Sequence, residues 1–158
     1  MILGIGLDVC EVGRMRQALE AVSGERFRAR VFTEAEREYC EARRRGRFAS
    51  YAARFAAKEA AMKALGTGWA RGVRWHDFEV VRGEGGAPHL VLHGRAAALA
   101  RRRGMVNWLL ALTHTDESAV ASVVVEDGAS LRRGRAGRRR RPSAGAARSA
   151  RPRPRARR

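Results

Sequence analysis

The first residues of the chain alternate between large apolar and small or acidic side chains. Leucine, isoleucine and valine fill positions 3, 5, 7 and 9, whereas Gly4, Gly6 and Asp8 fill the positions between them. This period of two predicts a β-strand with one apolar face. Because glycine weakens the interior of a strand, two glycines on one face indicate that another backbone approaches closely there. Asp8 lies on the same face, where a turn or capping role is as good an interpretation as a ligand role.

Residues 54–65 form a second distinctive segment, which is rich in alanine and contains neither proline nor glycine. Alanine is the strongest helix former, and Gly66 stands where a left-handed cap would end the helix. At about 100° per residue, Lys58 falls on the same side of this helix as the large apolar residues. Those residues are Phe55, Met62 and Leu65. For Lys58, packing of the stem with the amine reaching outward and contact with a ligand are two equal interpretations.

Glu59 and Lys63 lie four residues apart and are therefore neighbours on the helix surface. By itself this pair favours an ordinary amphipathic helix. An alanine-rich helix is also an element that could approach the glycine face, and it would carry Glu59 toward Asp8. Two carboxylates brought together repel each other unless a cation lies between them or one keeps its proton. A site with oxygen ligands alone favours magnesium or manganese over zinc.

The rest of the pattern predicts an α+β fold. Thr33 and Glu36 form a capping box that opens a helix reaching about Arg45. Further helices are expected over residues 12–21 and 95–103, and further strands over residues 73–82, 89–93, 106–113 and 119–126. Together these elements predict a mostly antiparallel sheet of about five strands packed with helices, including the long alanine-rich helix. The edge strands of such a sheet often associate, which is consistent with a homo-oligomer.

The charge of the chain is concentrated at its C-terminal end. Of 33 Lys and Arg residues, 13 lie in residues 128–158, which contain no acidic residue. Residues 1–127 therefore hold 20 basic against 16 acidic residues, a net charge of +4 out of a total of +17. We expect a domain over residues 1–127 and a disordered, Arg/Pro-rich tail over residues 128–158. The tail also suggests an alternative function, binding of nucleic acid or another polyanion.

Two cysteines, Cys10 and Cys40, are too few for a disulfide scaffold or a metal cluster. The chain lacks a secretory signal pattern and any apolar run long enough to span a membrane. These features predict a cytoplasmic protein without membrane attachment.

Three blocks of the sequence carry a resemblance to a known family. They are GIGLDVCEV at residues 4–12, RFAAKEAAMKALGTG at residues 54–68 and THTD at residues 113–116. In this order and spacing the chain resembles the holo-[acyl-carrier-protein] synthases, the short trimeric type of 4′-phosphopantetheinyl transferase. The resemblance covers residues 1–126 and implies the fold of that family.

The resemblance implies transfer of 4′-phosphopantetheine from coenzyme A to a serine of apo-acyl carrier protein, with release of 3′,5′-ADP. It implies dependence on magnesium, a role in fatty acid biosynthesis and a homotrimer with its sites at subunit interfaces. Asp8 and Glu59 match the metal ligands of the family, and Lys63 matches the residue that stabilises charge on the phosphoryl group. Either a metal-bound water or one of the carboxylates acting through a water would be the general base.

The family pattern also assigns residues to the cofactor and to the carrier. Arg54, His114 and Thr115 match positions that hold the phosphate end of coenzyme A. Gly66 belongs to a loop whose N–H groups could bind phosphate, although a plain helix end explains it equally well. Arg14 matches a carrier-docking position. Because acyl carrier proteins are acidic, Arg26 and its neighbours Arg28 and Arg30 are candidates for the same surface, against an equal chance of simple solvent exposure.

Overall fold

The computed structural model describes residues 1–68 and 72–129. The strands are β1 (Ile2–Glu11), β2 (Phe78–Arg82), β3 (Pro88–Leu92), β4 (Asn107–His114) and β5 (Ser118–Glu126). The helices are α1 (Val12–Glu20), α2 (Gly24–Val31), α3 (Glu34–Ala42), α4 (Arg47–Leu65) and α5 (Gly94–Arg102). Short 3-10 helices occupy Arg44–Gly46, Trp75–Asp77 and Glu84–Gly86. The predicted tail lies outside the described residues, apart from its first two positions.

The strands form two antiparallel sheets. One has three strands in the order β1-β5-β4, and the other pairs β2 with β3. The α+β class is therefore confirmed, whereas the expectation of one sheet of about five strands is wrong. Alternation of side chains is a local signal that identifies a strand but not its lateral neighbour. Here the chain passes through α5 between β3 and β4, and no ladder joins these two strands in the part of the chain that the structure describes.

The helices agree with the sequence pattern except for one. The capping box at the start of α3 is present: the Glu36 N–H donates to Thr33 Oγ1, and the Thr33 N–H donates to Glu36 Oε2. Helix α4 spans 19 residues and includes seven positions before the alanine-rich segment. Helix α2 was missed because only Gly24 and Val31 of its eight residues are buried, which leaves no apolar stripe to detect.

The glycine face of β1 packs directly on α4, as the sequence predicted. A Cβ atom added to Gly4 would lie 2.2 Å from the carbonyl oxygen of Ala64, and one added to Gly6 would lie 1.9 Å from that of Ala60. Neither distance is compatible with a side chain, so the two backbones meet only because both positions are glycine. The small alanines of α4 allow the same approach from the other side.

The three-stranded sheet has one covered and one open face. On the covered face, Ala121, Val123 and Val125 of β5 have no exposed surface and pack toward α4. On the open face, the apolar side chains of β1 are largely exposed: Ile5 at 63%, Leu7 at 56% and Val9 at 58%. The apolar face predicted for β1 therefore points away from the core. Of the helices that the structure describes, none combines the length and apolar character that crossing a membrane requires.

Candidate active site

Asp8 and Lys63 meet at the edge of the contact between β1 and α4. Asp8 follows Gly6 on the same face of β1 and is partly buried. Lys63 Nζ donates to Asp8 Oδ1 at 2.8 Å and to the carbonyl oxygen of Leu7 at 2.9 Å. The Asp8 side chain is 16% exposed and that of Lys63 is 51% exposed. The structure thus brings two of the predicted catalytic residues into direct contact.

Glu59 lies one helical turn before Lys63 on α4 and is half-buried. It is therefore on the flank of the helix from which Lys63 reaches Asp8. In the described ranges, 1–68 and 72–129, no group of three or more His, Cys, Asp or Glu side chains forms a metal cluster. Asp8 and Glu59 offer a set of two carboxylates, one on β1 and one on the flank of α4 from which Lys63 reaches Asp8. Magnesium is commonly held by one or two carboxylates plus substrate phosphates and water, so the chemistry of this set fits the ion. The ammonium of Lys63 against Asp8 Oδ1 indicates that this carboxylate accepts a cation.

Arg54 and His114 line one recess. It has a volume of about 180 Å³. Arg54 is only 5% exposed, and its guanidinium carbon lies 3.9 Å from the centre of the Tyr39 ring. Arg54 Nη1 also donates to the carbonyl oxygen of Ser50 at 3.4 Å. His114, at the end of β4, borders the same recess. Two residues that lie 60 positions apart are therefore combined as predicted.

Two further arginines of this recess were not found from the sequence. The guanidinium carbons of Arg43 and Arg82 lie 5.6 and 5.5 Å from the same Tyr39 ring. Three guanidinium groups around one aromatic ring create a strongly positive recess, suited to a phosphate or another anion. The two arginines come from α3's C-terminal end and from β2, and neither belongs to a motif. Only the tertiary arrangement identifies them.

Thr115 and Gly66 both have local structural partners. The Thr115 hydroxyl accepts hydrogen bonds from the N–H groups of Glu117 and Ser118, which closes the turn between β4 and β5. Gly66 adopts the left-handed conformation with φ 68°, and its N–H donates to carbonyl oxygens within α4. The Thr67 N–H bonds to the helix in the same way. Of the two interpretations of this loop, the helix end accounts for the N–H groups of Gly66 and Thr67, so a phosphate role for the Gly66 N–H is not retained.

The predicted docking arginines differ in their surroundings. Arg14 is exposed and borders an apolar recess of about 170 Å³ whose wall includes Phe27 and Phe55. Arg26 is also exposed, on α2. Arg28, by contrast, is mostly buried and lies 3.4 Å from a Glu25 carboxylate oxygen and 3.6 Å from one of Glu41. Arg28 is therefore engaged within the domain.

Lys58 has a role that neither sequence interpretation contained. Its side chain has no exposed surface, so the amine does not reach outward and does not border the site. Lys58 Nζ lies 2.8 Å from Glu36 Oε2 and donates to the carbonyl oxygens of Trp75 and Phe78. A helical wheel shows that a residue faces the core, but not that the core contains a carboxylate from another helix.

Comparisons with known proteins agree with this arrangement. Residues 4–124 match the family model described as the 4′-phosphopantetheinyl transferase superfamily. A holo-[acyl-carrier-protein] synthase of Koribacter versatilis is 50% identical over 127 residues, which cover 80% of this chain and 100% of the relative. One of Anaeromyxobacter dehalogenans strain 2CP-1 is 58% identical over 128 residues, which cover 80% of this chain and 97% of the relative.

Solved structures give the same result. A holo-(acyl-carrier-protein) synthase from Bacillus anthracis in complex with CoA (3′,5′-ADP) is 35% identical, with a TM-score of 0.66 over 81% of this chain and 99% of that chain. The synthase from Neisseria meningitidis is 28% identical, with a TM-score of 0.71 over 80% of this chain and 100% of that chain. None of these matches supports the alternative of a polyanion-binding protein, and the tail on which it depends lies outside the described residues. The chain therefore belongs to the 4′-phosphopantetheinyl transferase superfamily, among its holo-[acyl-carrier-protein] synthases.

Proposed function

We propose that this protein transfers the 4′-phosphopantetheine group of coenzyme A to a serine of apo-acyl carrier protein, giving holo-acyl carrier protein and 3′,5′-ADP. The observation that carries the proposal is the meeting of Asp8 and Lys63 beside Glu59, in a chain of this family. Two of the three motifs that match the family pattern, at residues 4–12 and 54–68, adjoin one another where β1 packs on α4. Arg54 of the second motif shares a recess with His114 of the third.

Asp8 and Glu59 would hold magnesium. When bound, the ion neutralises the diphosphate oxygens of coenzyme A and the charge that develops on the leaving 3′,5′-ADP. The chain itself would contribute the two carboxylates of Asp8 and Glu59, at one end of the contact between β1 and α4. Lys63, with a flexible stem and an exposed amine, supplies a positive charge to the phosphoryl group under attack.

The positive recess around Tyr39 would hold the other end of coenzyme A. Arg54 is fixed there by burial and by its contact with the ring, so its guanidinium is oriented before the ligand arrives. His114 borders the same space and can donate to a phosphate oxygen. Arg43 and Arg82 add charge that fits the 3′-phosphate. Thr115 would contribute through its exposed position next to His114, while its hydroxyl keeps the turn closed.

The carrier protein supplies the attacking hydroxyl, so no nucleophile is required from this chain. A carboxylate acting through a water, or a water at the metal, would accept the serine proton. Arg14 and Arg26 are exposed near the start of the domain and would attract the acidic surface of the carrier. The apolar recess beside Arg14 could then receive an apolar side chain of the partner.

A homotrimer with its sites at subunit interfaces is part of the proposal. It is supported by the open face of the sheet, where Ile5, Leu7 and Val9 of β1 and Leu109 of β4 are exposed. Val124 of β5 lies between Ile5 and Leu109 in the register of the sheet. Exposed apolar surface of this kind is typical of an interaction site rather than of a monomer.

We also propose a place in fatty acid biosynthesis in the cytoplasm, in keeping with the family and with two cysteines that are not paired.

The experiment that tests the proposal is incubation of the purified protein with apo-acyl carrier protein, coenzyme A and magnesium, followed by intact-mass measurement of the carrier. We expect the carrier to gain one phosphopantetheine group and the gain to be lost when EDTA replaces magnesium. An unchanged carrier mass, with several fatty-acid and polyketide carriers tried, would contradict the proposed activity. Transfer that persists fully in EDTA would contradict only the magnesium requirement.

A further inference from the structure

Lys63 and the proposed metal ion both bind to the carboxylate of Asp8 and would compete for it. Lys63 Nζ already donates to Asp8 Oδ1 at 2.8 Å, and its second hydrogen bond, to the Leu7 carbonyl oxygen, holds the ammonium against that residue. A divalent cation on Asp8 and an ammonium in this position repel each other. We infer that Lys63 makes metal binding at Asp8 depend on coenzyme A, because it occupies the carboxylate until the phosphates of coenzyme A draw the ammonium away.

The contacts of Lys63 allow such an exchange. Its side chain is 51% exposed, whereas that of Asp8 is only 16% exposed. The carboxylate is therefore the fixed partner and the lysine the mobile one, since a four-carbon stem with rotatable bonds can swing into solvent at little cost. Lys58, the other lysine of the chain, has no such freedom, because it is fully buried and bonded to three oxygen atoms.

The diphosphate of coenzyme A changes the balance of charge. It offers anionic oxygens to the ammonium, which can leave Asp8 and pair with phosphate. The same diphosphate supplies the further oxygen ligands that magnesium prefers beside one or two carboxylates. Metal and coenzyme A should therefore each raise the affinity of the protein for the other, and by linkage the factor is the same in both directions. This inference rests on the proposed function, because it takes Asp8 as a metal ligand.

The test measures binding of Mn²⁺ to the whole protein, without any carrier, by the loss of the electron paramagnetic resonance signal of free Mn²⁺. Titrations are made with and without coenzyme A for the parent protein, Lys63→Met, Lys63→Gln and Asp8→Asn. Arg101→Met serves as the control, since it removes one positive charge from an exposed position on α5. Circular dichroism checks that each variant is folded.

For the parent protein we expect coenzyme A to tighten Mn²⁺ binding by about tenfold or more. For both Lys63 variants we expect Mn²⁺ alone to bind about three to tenfold more tightly than to the parent, with a smaller effect of coenzyme A. The control should match the parent. If the Lys63 variants bind Mn²⁺ no more tightly while Asp8→Asn loses binding, the inference is wrong and the proposed metal site stands. If Asp8→Asn binds like the parent, the metal site itself is wrong.

Discussion

Lys58 Nζ lies 2.8 Å from Glu36 Oε2, and neither side chain has any exposed surface. The pair joins the first turn of α3 to the middle of α4. Its remaining hydrogen-bonding capacity is used: Glu36 Oε1 accepts from the Val80 N–H at 2.9 Å, and the ammonium also donates to two carbonyl oxygens. Burial lowers the pKa of Lys58, and the charge and hydrogen bond of Glu36 act in the opposite direction. The charged pair therefore persists only because every partner is in place.

Replacing Lys58 by methionine should destabilise the domain severely. Methionine fills much of the same volume but leaves the Glu36 carboxylate buried without its cation. Breaking a buried ion pair on one side costs about 3–5 kcal/mol. Urea unfolding followed by circular dichroism would measure this loss. In the double variant Lys58→Met/Glu36→Gln no charge remains buried, so it should be more stable than the single variant. An equal loss of stability in the single and the double variant would show that packing, and not charge, is responsible.

Gly6→Ala should separate β1 from α4. The added Cβ would lie 1.9 Å from the carbonyl oxygen of Ala60, which belongs to a helix backbone that cannot yield locally. We expect a loss of about 3 kcal/mol in unfolding free energy, the upper range for overpacking, together with reduced transfer activity. Gly13→Ala is the matched control, because its Cβ would meet no atom within 4 Å and its helical position favours alanine. A Gly6→Ala protein as stable as the Gly13→Ala protein would contradict the close approach.

Glu59→Gln should abolish transfer while the fold remains intact. The substitution keeps the size and shape of the side chain, but it turns one acceptor oxygen into an amide donor and removes the charge that a metal ligand requires. Intact-mass analysis of apo-acyl carrier protein measures transfer, and thermal unfolding measures the fold. Glu38→Gln, at an exposed position of α3, removes the same charge elsewhere and should retain activity. Full activity of Glu59→Gln would remove Glu59 from the metal site.

A charge on the open face of the sheet should prevent assembly. Ile5 is 63% exposed in the single chain, and Ile5→Glu would bury a carboxylate in the proposed trimer interface. Light scattering coupled to size-exclusion chromatography should give a mass of three chains for the parent and of one chain for Ile5→Glu. Val22→Glu, fully exposed outside the sheet, should leave the mass unchanged. A monomeric parent protein would contradict the trimer.

Both cysteine thiols should be protected in the folded protein. Burial raises the pKa of Cys10 to about 11 and that of Cys40 to about 12, and both are at most 7% exposed. At pH 8 we expect each to react with Ellman's reagent at least about 100-fold more slowly in the native state than in urea. In the unfolded chain both thiols have the ordinary pKa of 9.0, so they lose their protons at a lower pH than the buried thiols do. The free energy of unfolding should therefore fall as the pH rises above 9.0. Rapid native reaction would show that the core opens at these positions.

The sequence predicted those features that depend on short-range pattern. Gly4 and Gly6 indicated the close approach of α4 because a missing side chain is itself a spatial signal. Asp8 and Lys63 were assigned through motifs, and the structure places them in contact. The arginine recess around Tyr39 was not predictable, since its members come from separate elements and share only their distance to one ring.

The wrong predictions concern contacts between elements that are distant in the sequence. Lys58 was placed on the correct side of its helix, but its partner depends on how α3 packs against α4, which no local pattern contains. The division into two sheets likewise depends on which strands become neighbours. Strand β1 could be recognised from ten residues, whereas its pairing with β5 involves the opposite end of the domain.

The pairing of β1 with β5 runs from Ile2 opposite Glu126 to Glu11 opposite Ser118. During synthesis, the strand that carries Asp8 is made well before its hydrogen-bonding partner, because residues 12–117 separate β1 from β5. Closing a chain segment of this length is slow, because the entropy of the intervening loop must be lost before any contact compensates for it. The nascent protein therefore spends most of its translation with an apolar strand edge exposed. We expect this strand to be the segment of the chain on which chaperones act, and a chain that stops before Ser118 to remain without a formed active site.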